Sequence, residues 1–216
     1  MSLFKRKPWT GKTELLFSDK ALTALILPLF LEQLLSVLVG LSDSIMVAQV
    51  GEAAVSAVSL VDSIAILLIN IFNALATGGA VVSGQYLGAK DKKEAAYAGR
   101  QMMQFMVWMS IAIMLLIYLG KYFILHTVFG SIEADVMANC NTYLLISAAS
   151  IPFLGVYCGG AALFRAMGNS KTSMYVSCIM NVINVSGNAI LVFGFHRGVE
   201  GVAIPTLLSR VVAAFL

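Results

Sequence analysis

The sequence is poor in charge. Asp, Glu, Lys and Arg together make up 12% of its 216 residues, while 59% are apolar. Soluble domains carry about a quarter charged residues, so a water-soluble globular domain is excluded. Histidine is almost missing. His126 and His196 sit near the outer ends of apolar runs and read as solvated interfacial side chains. The three cysteines, Cys140, Cys158 and Cys178, have no C-x-x-C spacing and no neighbouring His pair, so they read as small apolar filler rather than metal ligands or a disulfide. Low-complexity stretches and long polar linkers are absent too, which leaves no boundary between two soluble domains. None of H-E-x-x-H, G-x-S-x-G, G-x-x-x-x-G-K-[ST] or an intramembrane G-x-G-D occurs. The chain is therefore expected not to be an enzyme, to need no cofactor and to bind no nucleic acid.

What the sequence has is long apolar runs parted by short polar ones, the pattern of an all-α, polytopic transmembrane helical bundle. Residues 1–20 read as a cytoplasmic N-terminal segment and 21–216 as a six-helix bundle, with spans at about 21–48, 53–82, 102–123, 139–163, 173–195 and 201–216. Lys5, Arg6 and Lys7 resemble the basic start of a signal peptide, but the run from Ala21 is far longer than the ~7–15 residues of such a peptide's apolar core and is read as a retained span. Asp19 is a candidate N-cap, and Pro28 lies early enough to kink the first helix rather than end it. The basic stretch Gly88–Glu94 is expected to lead into a short amphipathic helix ending near Arg100. Pro152 falls inside the fourth span. Residues 201–216 rise only about 24 Å as a helix, short of the ~30 Å hydrocarbon core, so the natural protein is expected to continue past Leu216.

The net charge of +3 says little; its distribution says more. With a cytoplasmic N-terminus, Lys5, Arg6, Lys7, Lys12, Lys20, Lys90, Lys92, Lys93, Arg100, Arg165 and Lys171 fall inside, and only Lys121 and Arg197 fall outside. Eleven against two fits the positive-inside bias. Arg165 and Lys171 are read as loop anchors, and Trp9 and Trp108 as interfacial or lipid-facing.

The spans also hold polar residues at helical spacing. Glu32, Ser36 and Asp43 share one face of the first. Ser59, Ser63, Asn70, Asn73 and Thr77 are read as one face of the second, and Ser177, Asn181, Asn184 and Asn188 as one face of the fifth. The sixth has Thr206, Ser209 and Arg210. Single hydroxyls and amides in such places are explained by hydrogen bonding between helices, and Gly155-x-x-x-Gly159 and Gly84-x-x-x-Gly88 by close helix packing. Asp43 is not, because an ionisable group deep in a span costs about 2.5–3.5 kcal/mol and should face a cavity or a partner. A carboxylate supplies a proton or cation site, and Asn carbonyls and a Thr hydroxyl supply further hard oxygens that suit a cation such as Na⁺. Glu32, Ser36, Asn70, Asn73, Asn181 and Arg210 are candidate cavity-lining residues.

Asp43-Ser44-Ile45-Met46-Val47, followed by Gly51 to Leu60, resembles the end of helix one and start of helix two in multidrug and toxic compound extrusion (MATE) transporters. Gly84-Gln85-Tyr86-Leu87-Gly88-Ala89-Lys90 is similar to the family's inner loop after helix two, and Phe164 to Thr172 to the loop before helix five. Asn184-x-x-x-Asn188 with Leu191 and Gly194, then Gly201-Val202-Ala203, is similar to helices five and six. The resemblance implies the N-terminal six-helix lobe of a twelve-helix protein whose two lobes form a V around a central cavity. It implies export of drugs or other organic compounds in exchange for Na⁺ or H⁺ across the plasma or inner membrane. The partners implied are a small organic substrate, membrane lipid and the C-terminal lobe of the same chain. It implies that Asp43, Asn184, Asn188 and Thr206 are the cation-binding residues, with Na⁺ a candidate metal at Asp43, Asn184 and Asn188. Pro205 stands where the family usually has a small residue, and Asn188 where some branches place an acid. Two rivals stay open: a lipid-linked oligosaccharide flippase of the same superfamily, and a passive channel or subunit.

Overall fold

The computed structural model describes residues 19–130 and 132–216, with side chains from Leu22 onward. Residues 1–18 of the expected N-terminal segment, with Lys5, Arg6, Lys7, Trp9 and Lys12, and the side chains of Asp19 and Lys20, lie outside the described residues. The described chain is all-α. The helices are α1 (Asp19–Ala48), α2 (Glu52–Gly88), α3 (Lys92–Phe123), α4 (Ala134–Ala166), α5 (Ser170–Ala189) and α6 (Glu200–Phe215). With the π-helical turns that extend α3 and α5, five of these are long and apolar enough to cross a membrane; α6 has 16 residues. Pro28 lies within α1, which continues past it to Ala48.

The two turns at one end of the bundle share one local design. At the end of α2, the Asp91 amide donates to Tyr86 O at 3.0 Å and the Lys90 amide to Leu87 O at 3.0 Å. At the end of α4, the Asn169 amide donates to Phe164 O at 2.9 Å and the Gly168 amide to Arg165 O at 3.0 Å. Both are Schellman closures, and each is followed at once by an N-cap. Asp91 Oδ1 accepts from the Glu94 amide at 3.1 Å, and Asn169 Oδ1 from the Thr172 amide at 3.4 Å. The expected separate amphipathic helix is therefore the first turns of α3, because Asp91 starts the helix and nothing between Lys92 and Met102 stops it. The opposite end is punctuated differently: α3 runs into a π-helical turn at Ile124–Val128 and α5 into one at Ile190–Gly194.

Each Schellman closure needs one residue in the left-handed region. Gly168 supplies it at φ 78°, whereas at the other turn Lys90 is held at φ 63°. A side chain there costs about 1–2 kcal/mol, partly offset by the extra freedom of glycine in the unfolded chain. Lys90→Gly is expected to stabilise the protein by up to about 1 kcal/mol and to raise its melting temperature in detergent. An unchanged or lower melting temperature contradicts this.

α4 is the central helix, packed on α2, α3 and α6; α1 packs chiefly on α5. Cys140 and Cys158 of α4 are buried, and all three cysteines are free thiols. Of the two Gly-x-x-x-Gly pairs, only Gly155/Gly159 makes a close approach at both glycines. A Cβ at Gly155 would lie 2.8 Å from Ser110 Cβ, and one at Gly159 would lie 2.7 Å from Met103 Sδ, both on α3. A Cβ at Gly84 would meet Ala166 of α4 at an ordinary 3.8 Å, and one at Gly88 meets nothing within 4 Å among the described residues, so the expectation of close packing at the Gly84/Gly88 pair is corrected: it lies at the end of α2, where α4 has drawn away. Pro205 finds its place against Gly187, where a Cβ would meet the proline ring at 2.7 Å. That contact brings α6 close to α5 and sets Thr206 beside the α5 amides. Trp108 is 71% exposed on the outer face of α3.

Candidate functional site

α1, α2, α4, α5 and α6 enclose a cavity of about 680 Å³, to which α3 contributes no side chain. Asp43, Asn184, Thr206, Glu32, Ser36, Asn70, Asn73, Asn181 and Arg210 all line it. Asn188 does not reach the wall: it is 0% exposed, one layer behind. The helical period explains this convergence, since residues three, four, seven and eleven apart return to one face.

Three polar groupings divide the chamber. The first lies toward the α1–α2 turn. Asn188 Nδ2 donates to Asp43 Oδ1 at 2.7 Å and to Asn184 Oδ1 at 3.3 Å. Asn184 Nδ2 donates to Thr206 Oγ1 at 2.9 Å, and Thr206 Oγ1 donates to Val202 O at 2.9 Å. One hydrogen-bonded chain thus joins α1, α5 and α6. Asn188 Oδ1 and Asn181 Nδ2 are buried with no hydrogen-bond partner among the described residues, a costly state for a polar atom.

The second grouping holds a carboxylate from α2. Asp62 Oδ1 accepts from the Tyr143 hydroxyl at 3.1 Å. Nearby, Arg210 donates through NH1 to Ser150 Oγ at 2.6 Å. The third lies toward the α4–α5 turn. Glu32 accepts from Ser173 Oγ at 2.9 Å and from the Tyr157 hydroxyl at 3.3 Å, and it faces Arg165 NH1 at 3.7 Å. Arg165 and Thr77 also line a second cavity of about 630 Å³ between α2 and α4, so they stand between the two spaces. Arg165 is therefore more than a loop anchor: the last turn of α4 delivers its guanidinium to Glu32.

A family profile for MatE matches residues 28–190. The chain belongs to the MatE family. It is similar to the uncharacterised transporter YisQ of Bacillus subtilis, 29% identical over 89% of this chain and 43% of that protein. The multidrug export protein MepA of Staphylococcus aureus is 26% identical over 90% of the chain and 43% of its own length. The probable multidrug resistance protein NorM of Thermotoga maritima is 24% identical over 99% and 46%. The chain thus spans less than half the length of these curated relatives. Among solved structures, a MATE protein in complex with MaL6 superposes with a TM-score of 0.86 at 20% identity, covering 91% of this chain and 43% of that one. A MOP superfamily transporter from Pyrococcus furiosus superposes at 0.82 and 21% over the same shares. The fold is that of a MATE N-terminal lobe.

In this MatE lobe the α2 stripe reaches the cavity through Asn70, Asn73 and Thr77, while Ser59 and Ser63, nearer the start of the helix, are not among its lining residues. Ser59 and Ser63 are exposed, and Ser63 Oγ donates to Ser59 O of its own helix at 2.9 Å. Asp62 takes the cavity side instead. It stands 11 residues before Asn73, a spacing that returns to one face, but 8 before Asn70, which places it at the edge of the stripe. Tyr143, Tyr157, Ser150 and Ser173 were missed because each acts through a partner distant in sequence.

The Glu32–Arg165 pair invites a direct measurement. Its side chains are 15% and 31% exposed, and at 3.7 Å a half-solvated pair contributes little. Glu32→Gln and Arg165→Gln are expected to show a coupling energy of about 0.5–1 kcal/mol in a double-mutant cycle of stability. A coupling of zero means that the pair does not tie α1 to α4.

Proposed function

We propose that this lobe belongs to a cation-coupled antiporter that exports organic compounds across the cytoplasmic membrane, with the N-terminus on the cytoplasmic side. The observation that carries the reading is the chain of bonds from Asp43 through Asn188 and Asn184 to Thr206 at one end of a polar chamber. With no ion bound, the Asn188 amide nitrogen satisfies the carboxylate. An H⁺ or Na⁺ arriving at Asp43 removes the need for that donor. Rotation of the amide then presents Asn188 Oδ1, the orphaned atom, beside Asn184 Oδ1 as oxygen ligands for Na⁺, or as the acceptor of a proton carried by Asp43. The exchange changes the bonding between α1, α5 and α6 together, so ion binding favours one arrangement of these helices. If cargo favours the other arrangement, the two are coupled.

The charges of the chamber support this reading over a flippase. Glu32, Asp43 and Asp62 face Arg165 and Arg210, which leaves no basic wall for a polyphosphate headgroup. The test is dye efflux by the full-length protein in proteoliposomes under an imposed Na⁺ or pH gradient. Export that follows one of the gradients supports antiport, and movement that ignores both favours a passive pathway.

A further inference from the structure

Of the carboxylates in the chamber, Glu32 is tied by two hydroxyls and an arginine. Asp43 and Asp62 each accept from one side chain, Asn188 and Tyr143, and among the described residues no cation lies within 4 Å of either. Asp43 heads the chain of amides that ends at Thr206, whereas Asp62 stands outside that chain. Arg210, the cation available to it, donates to Ser150 instead. On α2 the next residues along the cavity face are Ala65, Ile66 and Ile69, three, four and seven positions on, with Leu154 of α4 also on the wall. A carboxylate beside an apolar wall suits a large ion whose charge is spread and whose surface is greasy, not a hydrated Na⁺.

We propose that Asp62 is the cargo-binding carboxylate of the chamber: it holds the positive centre of an amphipathic organic cation against the Ala65–Ile69 wall, while Asp43 serves the coupling ion. Tyr143 is a positioning residue that fixes the carboxylate rotamer. The assignment rests on the chamber being the cargo site of the proposed exporter.

The test uses the full-length protein in lipid nanodiscs, with tetraphenylphosphonium as the cation and triphenylphosphine oxide as an uncharged probe of similar shape. Asp62→Asn is expected to weaken phosphonium binding by about tenfold, equivalent to about 1.4 kcal/mol, and to change binding of the neutral probe by less than about twofold. Asp62→Glu keeps the preference for the cation. Unchanged phosphonium binding in Asp62→Asn overturns the proposal. So does an equal loss of both probes. Should Asp62→Asn not accumulate, carbodiimide labelling of the unmutated protein, read by mass spectrometry, decides the matter. Phosphonium protects Asp62 and the neutral probe does not if the proposal holds; equal protection by both probes, or none by either, overturns it. A protein that binds phosphonium through Asp62 yet moves dye without regard to ion gradients refutes antiport and leaves this assignment standing.

Discussion

Asp43→Asn is expected to reduce gradient-driven export to the level of empty vesicles while the protein still inserts and folds. The substitution is nearly isosteric and keeps an oxygen to accept from Asn188 Nδ2, so the 2.7 Å bond and the chain through Asn184 to Thr206 can persist. What disappears is the only atom set in that shell able to take up a proton or to face Na⁺ with a negative charge. Burying a carboxylate in a span costs about 2.5–3.5 kcal/mol by insertion scales, so the variant should be at least as stable as the natural protein. Loss of function without loss of stability separates a coupling role from a structural one. Asp43→Glu should be impaired as well, because an added methylene displaces the carboxylate from Asn188. Normal export by Asp43→Asn at matched expression would refute the assignment.

The second large effect concerns assembly. Gly155→Val is expected to prevent accumulation of folded protein. A Cβ at this position would lie 2.8 Å from Ser110 Cβ and 3.3 Å from Met106 O. Ser110 is fully buried, its hydroxyl already donating to Val107 O at 2.9 Å, so α3 must move bodily to make room. Overpacking of this kind costs about 1–3 kcal/mol for a modest intrusion, and a β-branched side chain intrudes further. Inside a bilayer no hydrophobic drive compensates, because helix association rests on packing itself. Gly160, five residues beyond, faces nothing within 4 Å, and Gly160→Ala is the matched control with no expected loss. Yield and thermal stability by fluorescence-detected gel filtration read both. A Gly155→Val protein that melts like the natural one contradicts the packing account.

The helices and the chamber were legible in the sequence for the same reason: apolar runs reveal spans, and polar residues at helical spacing reveal the face that avoids lipid. Asp43, Asn184 and Thr206 were found that way. Hydropathy falls silent where a helix leaves the membrane, so Lys92–Arg100 was read as a separate element rather than the start of α3. It is silent too on the π-helical turns, which depend on a slipped hydrogen bond and not on composition. Asp62 was passed over because it lies at the edge of the α2 stripe, beside the serines that share its centre. The pairings that give the side chains their roles were out of reach. Tyr157 with Glu32 spans 125 residues and Asn188 with Asp43 spans 145, and one sequence holds no record of such distances.

The contrast between the two ends of the lobe has a mechanical meaning. At the α2–α3 and α4–α5 turns, at the end that carries Lys90, Lys92, Lys93 and Lys171, closed caps fix how each pair of helices is joined. At the other end the π-helical turns hold one residue more than an α-helix needs. Releasing that residue would swing the chain beyond it by about 100° without breaking a span. Asp43 and Asn188 lie toward this compliant end. In the proposed antiporter, a change in bonding at the carboxylate would therefore act beside the turns that have a residue to release.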